Sequence, residues 1–238
     1  MVAFPHHAVI ITAAGLSERF QSSHESAVGK KEYMFLDDRT ILYHSVLPFT
    51  VIPNVQTIIV TYPPLYKDEC ESALDNLLFA PIIPIYLVEG GSTRQKSVLE
   101  ALSFIEELAL DISFVAIHDG ARPFVSESLI IETLATASIF GSAVPAIPIH
   151  DAVKHINKEG LIDKHIDRTN LVQIQTPQIF RFPEILYSHR QIEESKKVYV
   201  DDSEIYNDTG HEVAVSKGSI DNRKITTYED IIKYKDTL

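Results

Sequence analysis

Five short apolar runs, each rich in β-branched residues and each followed by a polar or glycine-containing loop, limit most narrowly what this chain can fold into. They are residues 8–14 (AVIITAA), 55–61 (VQTIIVT), 82–88 (IIPIYLV), 112–117 (ISFVAI) and 143–149 (AVPAIPI). Continuous runs of that length, without alternation, describe strands buried on both faces of a parallel sheet. Helical spacing fills the gaps between them. The clearest case covers residues 93–110, where Val98, Leu99, Leu102, Ile105 and Leu108 recur while Glu100, Glu106 and Glu107 fall elsewhere. Another helix is predicted after Ser126, an N-cap, with Ile130, Leu134 and Ala137 on one side and Gly141 as its stop. Strands alternating with helices imply right-handed βαβ units and a doubly wound, mostly parallel α/β sheet, whose ligands bind beyond the carboxyl ends of the strands.

The pattern changes over residues 150–178, where strand-like pieces (VKHI, LVQIQ) are separated by polar turns at 157–160 and 167–170. This reads as an inserted β-arm. An arm with little core of its own packs against something else, and a second copy of the chain, giving a homodimer, is the expected partner. After Pro183 the helical spacing returns, followed by a strand at 213–216 and a final helix from about Tyr228. A chain of 238 residues with 45% hydrophobic content can bury one large core, so residues 1–238 are expected to form a single domain.

Charge narrows the function. A formal net charge of −12 argues against a general nucleic-acid binder, which needs excess Lys and Arg to neutralise phosphates. If the ligands are phosphates, attraction must come from a local cluster among the 21 Lys and Arg residues. No stretch approaches the roughly 20 apolar residues that span a bilayer, so a membrane protein is not expected. Residues 1–7 carry no signal-peptide pattern, so export is not expected either. A lone Cys70 forms no internal disulfide and fits a reducing, cytoplasmic compartment. The ten His are scattered without ligand spacing and read as structural or solvated.

The loops after the strands carry the chemistry. The first run leads into AAGLSERF and on to GKKEY (29–33), where small residues let backbone N–H groups approach a phosphate. Neither G-x-G-x-x-G nor G-x-x-x-x-G-K-[ST] is present in this segment, so neither a Rossmann dinucleotide site nor a P-loop is supported. Arg19 and Lys31 in this loop read either as a solvated pair or as phosphate ligands. The third run ends in EGGSTRQKSV (89–98), where Gly90 and Gly91 precede Arg94, Lys96 and Ser97 at a helix start, which is either an ordinary capped turn or an anion site. The fourth ends in HDGARP (118–123), placing Asp119 and Arg122 in the same zone. One Asp suffices for a nucleotide-borne Mg²⁺, whose remaining ligands are phosphates and water.

AAGLSER, GKKEY, EGGSTRQKSV, HDGARP, DRTNLVQIQTPQ, VDDSEIY and DNRKIT, in this order, resemble the 2-C-methyl-D-erythritol 4-phosphate cytidylyltransferase family of the non-mevalonate isoprenoid pathway over nearly the whole chain. The resemblance implies a Rossmann-like nucleotidyltransferase fold, CTP and a small polyol phosphate as substrates, and Mg²⁺ or another divalent cation. It implies that Arg19, Lys31 and Lys224 stabilise charge on the triphosphate, and that Ala13, Ala14, Gly15, Gly90, Arg94 and Ser97 line the nucleotide site. Asp119, Arg122, Arg168, Thr176 and Asp201 would serve the second substrate, Asp119 also the metal, and Arg168 would reach the neighbouring subunit's site through the arm. Lys30-Lys31-Glu32 stands where the family usually has Pro-Lys-Gln, and Ala152 where a D-T-x-K segment has Thr. Two other readings are a ribitol 5-phosphate cytidylyltransferase and a nucleotide-binding paralogue without turnover. With the chain ending at Leu238, no fused next-pathway enzyme is expected.

Overall fold

The β-branched runs become strands because each can bury both of its faces. The computed structural model describes residues 4–15, 17–23, 29–79, 83–195 and 197–235. The strands are β1 (His7–Thr12), β2 (Val55–Tyr62), β3 (Ile85–Glu89), β4 (Phe114–Asp119), β5 (Ser142–Pro148), β6 (Lys154–Ile156), β7 (Ile162–His165), β8 (Val172–Ile174), β9 (Gln178–Arg181) and β10 (Ala214–Lys217). The helices are α1 (Glu18–Gln21), α2 (Ile41–Val46), α3 (Lys67–Leu74), α4 (Asn76–Phe79), α5 (Arg94–Glu107), α6 (Glu127–Phe140), α7 (Glu184–Gln191), α8 (Asp202–Asp208) and α9 (Tyr228–Lys235).

One sheet runs in the order β10-β5-β9-β4-β1-β2-β3, with β8 added beside β5. β1 pairs in parallel with β2 and β4, β2 with β3, and β5 with β10. Successive residues of β1 enter opposite layers: Val9 and Ile11 pack with α2, α3 and α6, while Ala8 and Ile10 pack with α5, α7 and α8. All four are fully buried, and each large side chain so removed from water contributes roughly 1.5–3 kcal/mol. The ends expected for α6 are present, with Ser126 Oγ accepting Leu129 N–H at 3.2 Å and Gly141 closing the helix at φ 91°, and α5 is capped by Thr93, whose Oγ1 accepts Lys96 N–H at 3.1 Å.

Two features differ from the sequence reading. β9 lies antiparallel between β4 and β5, in the middle of the sheet. The arm is also shorter than residues 150–178: only β6 and β7 form a separate two-stranded hairpin, and the chain rejoins the main sheet at β8. The segment from Gln175 to Gln178 looks polar but is buried, because neighbouring loops satisfy its side chains. Gln175 Nε2 donates to Ser219 O at 2.7 Å, and Gln178 Oε1 accepts Ser203 N–H at 3.0 Å. Hydropathy alone cannot reveal a buried strand of that kind.

Candidate active site

Beyond the carboxyl ends of β1 to β4 the strand order places β1 between β2 and β4, so that the chain adds strands first on one side of β1 and then on the other. This is where an open α/β sheet leaves a crevice. It holds a cleft of about 680 Å³ lined, among others, by Ala14, Gly15, Ser17, Lys31, Glu32, Gly90, Arg94, Ser97, Asp119 and Lys224. A smaller cavity of about 170 Å³ adjoins it, with Arg122, Thr176, Gln178, Val200 and Asp201 in its walls. Arg94, Asp119 and Lys224 line both.

The floor is fixed first. Ala13 lies beneath the cleft, buried, with its N–H donated to Thr61 Oγ1 at 3.2 Å. Gly90 closes tightly on that floor: a Cβ there would clash with the Ala14 methyl and come within 2.7 Å of Ser97 Oγ. Only a glycine lets the β3 loop approach the β1 loop this closely.

Asp119 is the electrostatic centre. Its carboxylate receives Lys224 Nζ at 2.9 Å and Arg122 Nε at 3.3 Å, with Arg94 Nε at 3.9 Å. Burial alone would raise its pKa, but Lys224, Arg94 and Arg122 outweigh that effect and hold it well below the usual carboxylate range. Arg94 in turn donates from its NH2 group to Asp202 Oδ2 at 2.6 Å, and Asp202 Oδ1 lies 3.2 Å from His189 Nε2. Asp202 is wholly buried; burial opposes its charge, yet Arg94 and His189 bring its pKa down to about 2.

Segments distant in sequence complete the walls. Arg122 NH1 donates to Asn222 O at 2.7 Å, Asn222 Nδ2 donates to Thr176 O at 2.8 Å, and Ile225 N–H donates to Ala121 O at 2.8 Å. Lys31 Nζ donates to Ile225 O at 3.0 Å. Ile225 itself is buried with Phe20, Leu36, Ile41 and Ile231. This anchoring carries the adjacent Lys224 to the cleft. Thr176 Oγ1 accepts Asp119 N–H at 3.1 Å and sits 3.0 Å from His118 Nδ1, while His118 Nε2 faces Arg122 O at 3.2 Å. A carbonyl only accepts, so the His118 proton resides on Nε2, and burial pushes the pKa of this imidazole down to about 4.

Lys31, Lys224, Ala14, Gly15, Gly90, Arg94 and Ser97 therefore meet at the larger cleft, and Asp119, Arg122, Thr176 and Asp201 at the smaller cavity. Lys31 is buried rather than solvated. Arg19 falls on α1, with its side chain outside the described residues. Arg168 is exposed on the connection from β7 to β8 and lines neither cavity within one chain. Sequence reasoning gave no role to Asp202, His189 and Asn222: Asp202 and Asn222 lie inside the VDDSEIY and DNRKIT segments that carry the resemblance, whereas His189 gave no signal.

Among the described lining residues of the two cavities, Lys31, Arg94, Arg122 and Lys224 face three carboxylates, Glu32, Asp119 and Asp201. In a chain of net charge −12 this is a local surplus of cations suited to an anionic ligand. Fold and cleft together define an α/β nucleotidyltransferase-like protein. The family model described as IspD, 2-C-methyl-D-erythritol 4-phosphate cytidylyltransferase, matches residues 7–236. The chain belongs to the 2-C-methyl-D-erythritol 4-phosphate cytidylyltransferase family.

It is 37% identical over 235 residues to the bifunctional enzyme IspD/IspF of Rhodopseudomonas palustris (strain BisB5), covering 98% of this chain and 56% of that protein. The chain thus spans a little over half the length of this bifunctional relative. It is 34% identical over 224 residues to the 2-C-methyl-D-erythritol 4-phosphate cytidylyltransferase of Caldanaerobacter subterraneus subsp. tengcongensis, covering 94% of each. The crystal structure of 4-diphosphocytidyl-2C-methyl-D-erythritol synthase from Anaerococcus prevotii superposes with a TM-score of 0.80 at 27% identity, covering 98% of both chains.

Proposed function

We propose that this chain transfers the cytidylyl group of CTP to 2-C-methyl-D-erythritol 4-phosphate with release of pyrophosphate, working in the cytoplasm. The observation that carries the reading is the pair of adjoining cavities with Arg94, Asp119 and Lys224 as their common wall. CTP would occupy the larger, against Ala14, Gly15, Gly90 and Ser97. The polyol phosphate would occupy the smaller, among Arg122, Thr176 and Asp201. An acceptor phosphate oxygen attacks the α-phosphorus, a new P–O bond forms, and the bond to the β-phosphate breaks. A phosphate monoester is largely ionised near neutral pH, so no general base is required. Catalysis then rests on positioning and on charge stabilisation by Arg19, Lys31 and Lys224.

Asp119 remains ionised and suits a divalent cation such as Mg²⁺ arriving with the nucleotide, which would supply further neutralisation of the triphosphate. Among the described residues no group of three or more His, Cys, Asp or Glu side chains could hold a metal by itself. With purified protein, CTP and Mg²⁺, pyrophosphate release is expected with methylerythritol phosphate and not with ribitol 5-phosphate. Release with ribitol 5-phosphate alone would replace the acceptor, and release with neither would leave a nucleotide-binding protein without turnover.

The β6–β7 hairpin supports a homodimer. It exposes Ile156, Leu161 and Ile162, each more than half accessible, on an element too small to bury them itself. Crossing to a second copy would cover them and carry Arg168 towards the neighbouring acceptor cavity. Sedimentation should give twice the 26.7 kDa chain mass. Replacing Ile156 and Ile162 together by Asp should give monomers with a raised KM for the acceptor and a KM for CTP close to that of the parent. A monomeric parent would remove this part of the reading.

A further inference from the structure

One wall of the larger cleft carries a carboxylate that faces the place where a triphosphate would lie. Glu32 is 5% exposed, and its Oε2 accepts the Ser17 hydroxyl at 3.1 Å. Its Oε1 lies 3.9 Å from Lys31 Nζ, and its Oε2 lies 3.9 Å from Lys30 Nζ. Glu32, Ser17 and Lys31 line the cleft, whereas Lys30 does not. Lys30 Nζ is buried behind the carboxylate and has no hydrogen-bond partner among the described residues.

These positions set two opposed demands. Glu32 fixes the loop after β1 through Ser17 and lies against Lys31, but an uncompensated carboxylate in this wall repels every phosphate that enters. A buried ammonium without hydrogen bonds is costly in turn unless an opposite charge lies near it. Burial lowers the Lys30 pKa, and the Glu32 carboxylate acts against that loss of charge. Each residue thus resolves the other's difficulty, and Lys30 does so from outside the cavity, where it does not compete with Lys31 for phosphate.

We propose that Lys30 is a positioning residue for nucleotide binding: the buried counter-charge that lets Glu32 organise Ser17 and Lys31 without repelling the triphosphate. The proposal rests on the reading of the larger cleft as the CTP site.

The test is a mutant cycle read by KM and kcat for CTP. Lys30→Met keeps the side-chain volume and leaves Glu32 only Lys31, the cation meant for phosphate, as a counter-charge among the described residues. It should raise KM for CTP about tenfold, the effect of one unscreened charge close to the site, with kcat changed by less than about threefold. Adding Glu32→Gln should bring KM back to within about threefold of the parent, a rescue that a merely structural role for Lys30 would not give. If Lys30→Met does not fold, the double variant, which buries no lone charge, still decides the matter by calorimetric titration with CTP and Mg²⁺: parent-like affinity supports the proposal, and a loss beyond tenfold overturns it. An unchanged KM in Lys30→Met, or no recovery in the double variant, also overturns it. A parent chain that binds no CTP would remove the nucleotide reading itself, whereas a CTP-binding parent with an insensitive Lys30 removes only this proposal.

Discussion

Lys31→Ala should lower pyrophosphate release by at least about a hundredfold, as loss of one preorganised charge donor in a water-poor site commonly does. Lys31 is 7% exposed, its Nζ is held by Ile225 O at 3.0 Å, and it lines the larger cleft. Its ammonium is therefore already positioned before any ligand arrives. The lost hydrogen bond should cost about 1 kcal/mol of stability, so the variant should still fold. Steady-state rates with saturating CTP and acceptor, beside a thermal melt, separate the two effects. A folded variant with a rate within threefold of the parent would remove Lys31 from the chemistry.

Asp202→Asn should produce the largest loss of stability. The parent carboxylate is wholly buried, accepts Arg94 at 2.6 Å and lies 3.2 Å from His189. Its pKa is lowered from 3.8 to about 2. A carboxyl lowered on folding stabilises the native state above its unfolded pKa and ceases to do so as pH falls through its folded one. The contribution, about 2 kcal/mol at neutral pH, should therefore be complete above roughly pH 4 and vanish near pH 2. In Asp202→Asn the melting temperature at neutral pH should fall by about 4–8 °C, the range expected for that energy in a domain of this size. The part of the acid destabilisation that belongs to Asp202 should also be missing. Activity should fall too, because Arg94 loses the partner that holds it at the wall between the cavities. A melting temperature within 1 °C of the parent would show that the Arg94–Asp202 pair is energetically idle.

The strands and main helices were legible because their information is local. β-branched runs mark β1, β2 and β4, and Thr93, Ser126 and Gly141 mark helix ends by their own side chains or backbone freedom. β9 was not legible, since Gln178 is polar and buried only because Ser203 lies opposite it. In the candidate site, the glycines and cations of each loop were readable, and the resemblance joined them into one cleft. The arrangement around Arg94 was not readable: its partner Asp202 lies 108 residues away, and nothing in either local sequence requires the other. Lys30 and Glu32 stood out only as departures from the family pattern; their depth and mutual distance needed coordinates.

The cleft is assembled from opposite ends of the chain. Lys31 is tied to Ile225 across 194 residues, and Arg122 to Asn222 across 100. During synthesis, the strands β1 to β4 can pair long before the ribosome has released the segment carrying Lys224, so a nascent chain holds a sheet with an unfinished mouth. Binding competence thus arrives only after the segment carrying Lys224 has been made, and a ligand that stabilises the finished mouth would also report on completed folding.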